Sequence, residues 1–131
     1  MEIIDEQIAN NDRSEGYTVT QALLQKYDDI RVVFSCNGEM ALGASVAVSE
    51  ADRSGQISIQ TVDCYDEIVS SINDGNIQIC INNAGDIQGK GAIQLAMDYF
   101  KGKEIGEVSA IDAETITIDN IAPYLEKYNL E

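Results

Sequence analysis

At 131 residues, with 44% apolar residues and a single proline, the chain is long enough to bury one core and too short for two ordinary domains. Its formal charge of −15, from 23 acidic against 8 basic residues, argues against nucleic acid and anionic lipid as partners, because both need a Lys/Arg footprint. Histidine is absent, which removes imidazole zinc sites, histidine triads and histidine general bases, and the three cysteines (Cys36, Cys64, Cys80) form neither a CxxC pair nor an even-numbered disulfide framework. No apolar run reaches membrane-spanning length, and the stretch Met1-Glu-Ile-Ile-Asp has neither the basic start nor the apolar core of an export signal.

Taken in chain order, residues 2–8 (EIIDEQI) predict a strand, and ANNDR after them supplies turn and N-cap chemistry. A helix is predicted over 14–27, where Val19, Ala22, Leu23 and Tyr27 share one face. The continuous apolar run RVVFS (31–35) reads as a strand buried on both faces, and 39–52 as an alanine-rich helix with Met40, Ala44 and Ala47 in one stripe. The cycle repeats with a strand at 57–63, a helix at 66–73 stopped by Asp74-Gly75, a strand at 77–81, and a helix at 86–101 with Ile93, Ala96, Met97 and Phe100 facing inward.

Such alternation implies βα units, hence an α/β fold with a doubly wound, flavodoxin-like parallel sheet. After KGKE the pattern changes to a strand pair or extended arm and a short helix with Ile121, Leu125 and Tyr128 on one face. The expected division is therefore an α/β lobe at 1–105 and a C-terminal arm at 106–131. Ser58, Gln60 and Gln78 interrupt their strands with polar side chains, which predicts one side of the sheet less buried than the other.

In open α/β sheets small ligands bind where loops leave the carboxyl ends of the strands. Those ends carry Asn10, Asn11, Asp12 and Arg13; Asn37 and Gly38; Asp63, Cys64 and Tyr65; and Asn82 and Asn83. Amides donate and accept while carboxylates accept strongly, a set suited to neutral polyhydroxylated ligands such as sugars. Each residue also has a structural reading: Asn11 or Asp12 as an N-cap, Asn37 as a turn residue, Asp63 as a helix cap, Asn82 and Asn83 as turn formers. The glycines at 38, 43, 89 and 91 fit neither GxGxxG after the first strand nor GxxxxGK[ST]. With no metal set and no histidine base, neither cofactor nor catalysis is expected.

Three stretches in order, DRSEGYTVTQALLQKYDDIRVVFSCNGEMALGASVAV, TVDCYDEIVSSINDGNIQICINN and AIQLAMDYFKGKEI, resemble the C-terminal lobe of the type 1 periplasmic sugar-binding proteins, the ribose-binding family. The resemblance implies a non-catalytic lobe of an ABC-transporter solute-binding protein, with a sugar clamped against a second lobe. It places the ligand contacts on Asn11, Asn37, Asp63 and Asn83, with no metal. Gly38 stands where that family usually has Asp, Asn83 replaces a usual Gln, and Asn11 replaces an aromatic residue; Tyr65 is a candidate substitute ring.

The partners implied are a missing N-terminal lobe or a second copy in a homodimer, and an ABC permease, at a periplasmic or cell-surface location. Two other readings remain open: a truncated or engineered half-protein that self-associates without ligand, and the effector lobe of a lac-repressor-type sensor.

Overall fold

The structure, a computed structural model, describes residues 2–106, 110 and 112–130. It is an α/β lobe, with a sheet of four strands in the order β1 (Val32–Ser35), β2 (Ser58–Val62), β3 (Ile79–Asn82), β4 (Glu114–Ile116). β1, β2 and β3 are parallel, and β4 joins β3 antiparallel through the pairs Cys80–Ile116 and Ile81–Thr115. The helices are α1 (Arg13–Lys26), α2 (Gly38–Glu50), α3 (Asp66–Asn73), α4 (Gly85–Phe100) and α5 (Ala122–Tyr128). None of them is long and apolar enough to cross a membrane.

Most boundaries follow local chemistry. Asp12 caps α1 by accepting from the Glu15 amide at 2.9 Å, and Asn37 caps α2 by accepting from Met40 at 3.0 Å. α3 ends at Asp74, followed by Gly75 with φ +77°, a left-handed turn that glycine adopts at no steric cost. β3 begins at Ile79, two residues later than expected: Gln78 spends its side chain instead, accepting from the Ile59 amide at 2.7 Å and donating to Gly75 O at 2.7 Å.

Strands β1, β2 and β3 are neighbours in chain order, so right-handed crossovers carry α2 and α3 to the same face of the sheet. α1 lies against α2 on that face, and α5 against α3. The core is the layer between these helices and the sheet: Ile59, Thr61 and Cys80 from the strands meet Ala41, Leu42, Val48, Ile68, Val69 and Ile72 from the helices. Ile116 of β4 and Ile121 ahead of α5 are buried in the same core, so the residues after 112 contribute to it directly.

The other face is open, as the polar residues of β2 anticipated. Side chains there are Val32 and Phe34, then Ser58, Gln60 and Val62, then Ile79 and Ile81, all partly or largely exposed. This corrects the reading of RVVFS as buried on both faces, since Phe34 is 59% exposed.

Two further corrections share that cause. α4 buries none of its residues, and Ile93 and Phe100, expected to face inward, are 66% and 86% exposed. Residues 2–8 are not a strand: they find no ladder partner, and among the described residues β1 pairs only with β2. A strand exists by its neighbour's hydrogen bonds, so an alternating sequence without one stays irregular. The earlier of the strands expected after residue 105 falls partly on residues outside the described set.

α1 and α2 cross at van der Waals distance because glycines face backbone. A Cβ at Gly43 would sit 2.1 Å from Arg13 O and 2.7 Å from Tyr17 N, and one at Gly16 would sit 2.7 Å from Met40 O. Gly43→Ala must therefore spread the two helices, at a cost of about 1–3 kcal/mol. Gly89→Ala, in α4 with nothing within 4 Å of its Cβ, carries no such cost. Urea midpoints of the two variants measure the difference.

Candidate functional site

Because β1, β2 and β3 run parallel and in register, with Ser35 opposite Thr61 and Thr61 opposite Cys80, the residues following them leave the sheet along one rim. Asn37 follows β1, Asp63 follows β2 and Asn83 follows β3. Asn11 precedes α1, whose start is tied to the same rim by Arg13: its guanidinium is bidentate to Glu39 at the start of α2 (2.9 and 3.2 Å) and to Glu67 at the start of α3 (2.6 and 2.7 Å). All four expected positions therefore line one edge.

They are not equivalent. Asn83 Nδ2 donates to Asp63 Oδ1 at 3.1 Å, so this pair forms a joint donor and acceptor surface. Asn37 is half-buried and commits its side-chain oxygen to the α2 cap, which leaves its NH2 facing elsewhere. Asn11 is exposed. Asn82 serves structure: it accepts from the Ala84 amide at 3.0 Å and donates to the Tyr124 hydroxyl at 3.1 Å.

The backbone of this rim is strained. Among the described residues, six other than glycine have positive φ, and four of them are here: Asn10 (45°), Asn11 (59°), Asp63 (79°) and Ala84 (51°). Asparagine and aspartate tolerate the left-handed region, but for Ala84 it costs on the order of 1 kcal/mol, which packing elsewhere must offset.

Some of that packing comes from α5. The Tyr128 hydroxyl donates to Cys64 O at 3.0 Å, next to Asp63. The Tyr124 hydroxyl donates to Glu114 at 2.6 Å, and desolvation, reinforced by that carboxylate, pushes the phenol up to about 12.

Two side chains that the sequence placed at the strand ends turn out to be committed. Arg13 has its fork filled by Glu39 and Glu67, whose carboxylates it holds below their ordinary range while its own pKa is raised. Tyr65 donates to Glu39 Oε1 at 2.8 Å, and its hydroxyl pKa is raised by burial and by that carboxylate. The ring also fills the space above Gly38, where a Cβ would lie 2.6 Å from Tyr65 Cε1. Gly38 and Tyr65 are thus one steric unit. Glu39 and Glu67 had no motif to reveal them; only the packing of three helix starts brings them to one arginine.

Among the described residues no group of three or more Cys, Asp or Glu side chains is placed to hold a metal ion. Cys36 is exposed, while Cys80 is buried on the core side of β3, where its contact with the Cys64 thiol and desolvation raise its pKa.

The sheet, with its helices on one face and its polar residues gathered at the strand ends, defines an α/β lobe, and comparison with known proteins gives its family. The profile described as "Periplasmic binding protein domain" matches residues 1–104. The chain belongs to the periplasmic binding protein family, and the sheet and helices described above are its fold.

Among relatives, it is 33% identical over 117 residues to the fructose import binding protein FruE of Bifidobacterium longum, covering 88% of this chain and 36% of FruE. It is 32% identical over 105 residues to the ribose import binding protein RbsB of Bacillus subtilis, covering 80% of this chain and 34% of RbsB. Among solved structures, an ABC transporter solute-binding protein from Actinobacillus succinogenes with bound D-allose superposes with TM-score 0.89 at 25% identity, covering 94% of this chain and 44% of that one. An arabinose-transporter binding protein from Shewanella with bound L-arabinofuranose gives 0.86 at 27% identity, covering 96% and 43%. The chain therefore spans less than half the length of these relatives.

Two measurements probe the rim's construction. Gly38→Ala displaces the Tyr65 ring and breaks its bond to Glu39, lowering stability by about 1 kcal/mol; in a Tyr65→Ala background most of that cost disappears, which a double-mutant cycle in urea reads directly. Since Glu39 and Glu67 have pKa values held below 4.5 when folded, their contribution to stability is present above that value and is lost as pH falls through the lowered ones. The fall in urea midpoint below about pH 4.5 is expected to be shallower in Arg13→Met, with a modest effect at neutral pH because all three side chains are more than a third exposed.

Proposed function

We propose that this chain supplies the solute-contacting rim of one lobe of an ABC-transporter solute-binding protein, holding a neutral, polyhydroxylated, sugar-like molecule by hydrogen bonds without covalent chemistry. Asp63 accepts from ligand hydroxyls, Asn83 both donates and accepts, Asn37 donates through its NH2, and Asn11 contributes at the outer end of the rim. In this reading the protein works in a periplasmic or cell-surface setting and delivers its ligand to a permease.

The observation that carries the proposal is the coupled pair Asp63–Asn83 at 3.1 Å, with positive φ at Asp63 and at Ala84 next to Asn83, beside Asn37, at the carboxyl ends of the parallel strands. Backbone held in left-handed conformations at several neighbouring turns aims side chains that a relaxed turn would not. Support comes also from the relatives, which are import binding proteins for fructose, ribose and apiose, and from structural neighbours holding allose and arabinofuranose. The charge of −15 favours a neutral ligand over an anionic one.

A single rim touches one side of a ligand, whereas established pockets enclose about 70–90% of its surface, so the chain alone binds weakly. Titration with D-ribose, D-fructose, D-allose and L-arabinose, followed by amide NMR shifts, is expected to give affinities on the order of millimolar for at least one sugar. Shifts should concentrate at residues 10–13, 37–40, 63–66 and 82–85. Asp63→Ala with Asn83→Ala should abolish them while leaving the fold intact. Binding that survives the double substitution, or shifts centred elsewhere, would remove the rim from consideration.

A further inference from the structure

Two of the three cysteines meet behind the rim. Thr61 of β2 and Cys80 of β3 are paired in register, and both are fully buried on the side of the helices. Strand alternation would send Cys64, with Val62, to the open face. The left-handed Asp63, at φ +79°, turns the chain back, and Cys64 packs against the same core cluster that holds Cys80. There the two thiols are in contact, with the Cys80 S–H donating to Cys64 Sγ.

The two sulfurs differ in access and in charge. Cys80 has no exposed surface, whereas Cys64 is partly exposed just past the end of β2. The hydrogen bond from Cys80 and the nearby ammonium of Lys127 lower the Cys64 pKa, against desolvation and the Glu114 carboxylate. The same bond and burial raise that of Cys80. An accessible sulfur with thiolate character beside a buried thiol is the arrangement of an attacking and a resolving cysteine.

We propose that Cys64 and Cys80 form a reversible dithiol/disulfide couple that sets the position of the loop displaying Asp63. The oxidant is a low-molecular-weight disulfide. The Cys64 thiolate, its proton lost to solvent, attacks one sulfur of that disulfide and expels the first small thiolate. Cys80 then gives up its proton and attacks Cys64 Sγ, expelling the second. Two protein thiols are oxidised by two electrons, and the small disulfide is reduced to two thiols. Closing the bond brings the sulfurs from contact to about 2.05 Å, which draws residue 64 toward β3. The neighbouring Asp63 carboxylate is bonded to Asn83, and the Cys64 carbonyl accepts from Tyr128, so both bonds must adjust. As a control on ligand contact the couple rests on the rim reading above, whose periplasmic or cell-surface setting is one where disulfides persist; the disulfide itself does not.

The test uses the full chain carrying Cys36→Ser, which removes the exposed third thiol. The protein is equilibrated with reduced and oxidised glutathione, quenched with acid, and its free thiols are counted by alkylation and mass spectrometry. The expected product has both thiols blocked, carries no glutathione, and returns to the dithiol with dithiothreitol. At the same glutathione ratio the disulfide should be favoured at least about 10-fold more in the folded chain than in denaturing guanidinium chloride, because the fold already holds the sulfurs together. Cys64→Ser should leave Cys80 unmodified. On oxidation the side-chain NH2 signal of Asn83 should shift, while amide signals of α1 and β1 stay in place.

Two free thiols in the folded chain, or a glutathione adduct on Cys64 that Cys80 does not resolve, overturns the couple. Equal oxidation of the folded and denatured chain overturns it as well, since contact in the fold would then contribute nothing. A disulfide that forms without moving the Asn83 signal overturns its hold on the Asp63 loop. None of these readouts involves sugar, so failure here is separable from failure of the rim as a binding site.

Discussion

The handedness of βα crossovers governs this molecule. Because three parallel strands follow one another without a reversal, their helices have nowhere to go but one side, and the hydrophobic core becomes a single layer between α1, α2, α3, α5 and the sheet. The same parallelism delivers Asn37, Asp63 and Asn83 to one edge. One rule thus produces a well-packed half, a bare half and a polar rim at their border.

At that border, the display of polar side chains works against stability. Positive φ at Ala84 is unfavourable in isolation, and polar side chains at strand ends bury little apolar surface. What holds them is built from neighbours: the forked Arg13 linking three helix starts, the Tyr65 ring seated on Gly38, and the two α5 tyrosines reaching back to β3 and to the loop after β2. Arg13 and Tyr65, which by residue type alone suit ligand contact, are the scaffold; the less conspicuous amides are left to face outward.

Much of this was legible in the residues. Helix α3 has the bounds its period and its Asp74-Gly75 stop imply, and α1, α2, β1 and β2 lie within one or two residues of expectation, because caps and apolar spacing are local properties. The positions of the rim were legible too, since strand ends are fixed by strand direction. Three expectations failed for one non-local reason. Residues 2–8, the buried faces of RVVFS and the inward stripe of α4 are each correct amphipathic patterns, but a pattern states what a segment can bury, not whether a partner is present to bury it. The alternation Ser58, Gln60, Gln78 was the one sequence signal that pointed the other way. The link from Arg13 to Glu39 and Glu67 was invisible because it joins residues 26 and 54 positions apart through packing alone.

The hydroxyl of Tyr128 lies 64 positions along the chain from Cys64, yet it supports the turn that displays Asp63. Helix α5 is in this sense the keystone of a distant arch: without it Asn82 and Glu114 would lose the Tyr124 hydroxyl and the loop after β2 its tie to Tyr128. A substitution in α5 therefore reads out at the end of β2 as much as in its own helix.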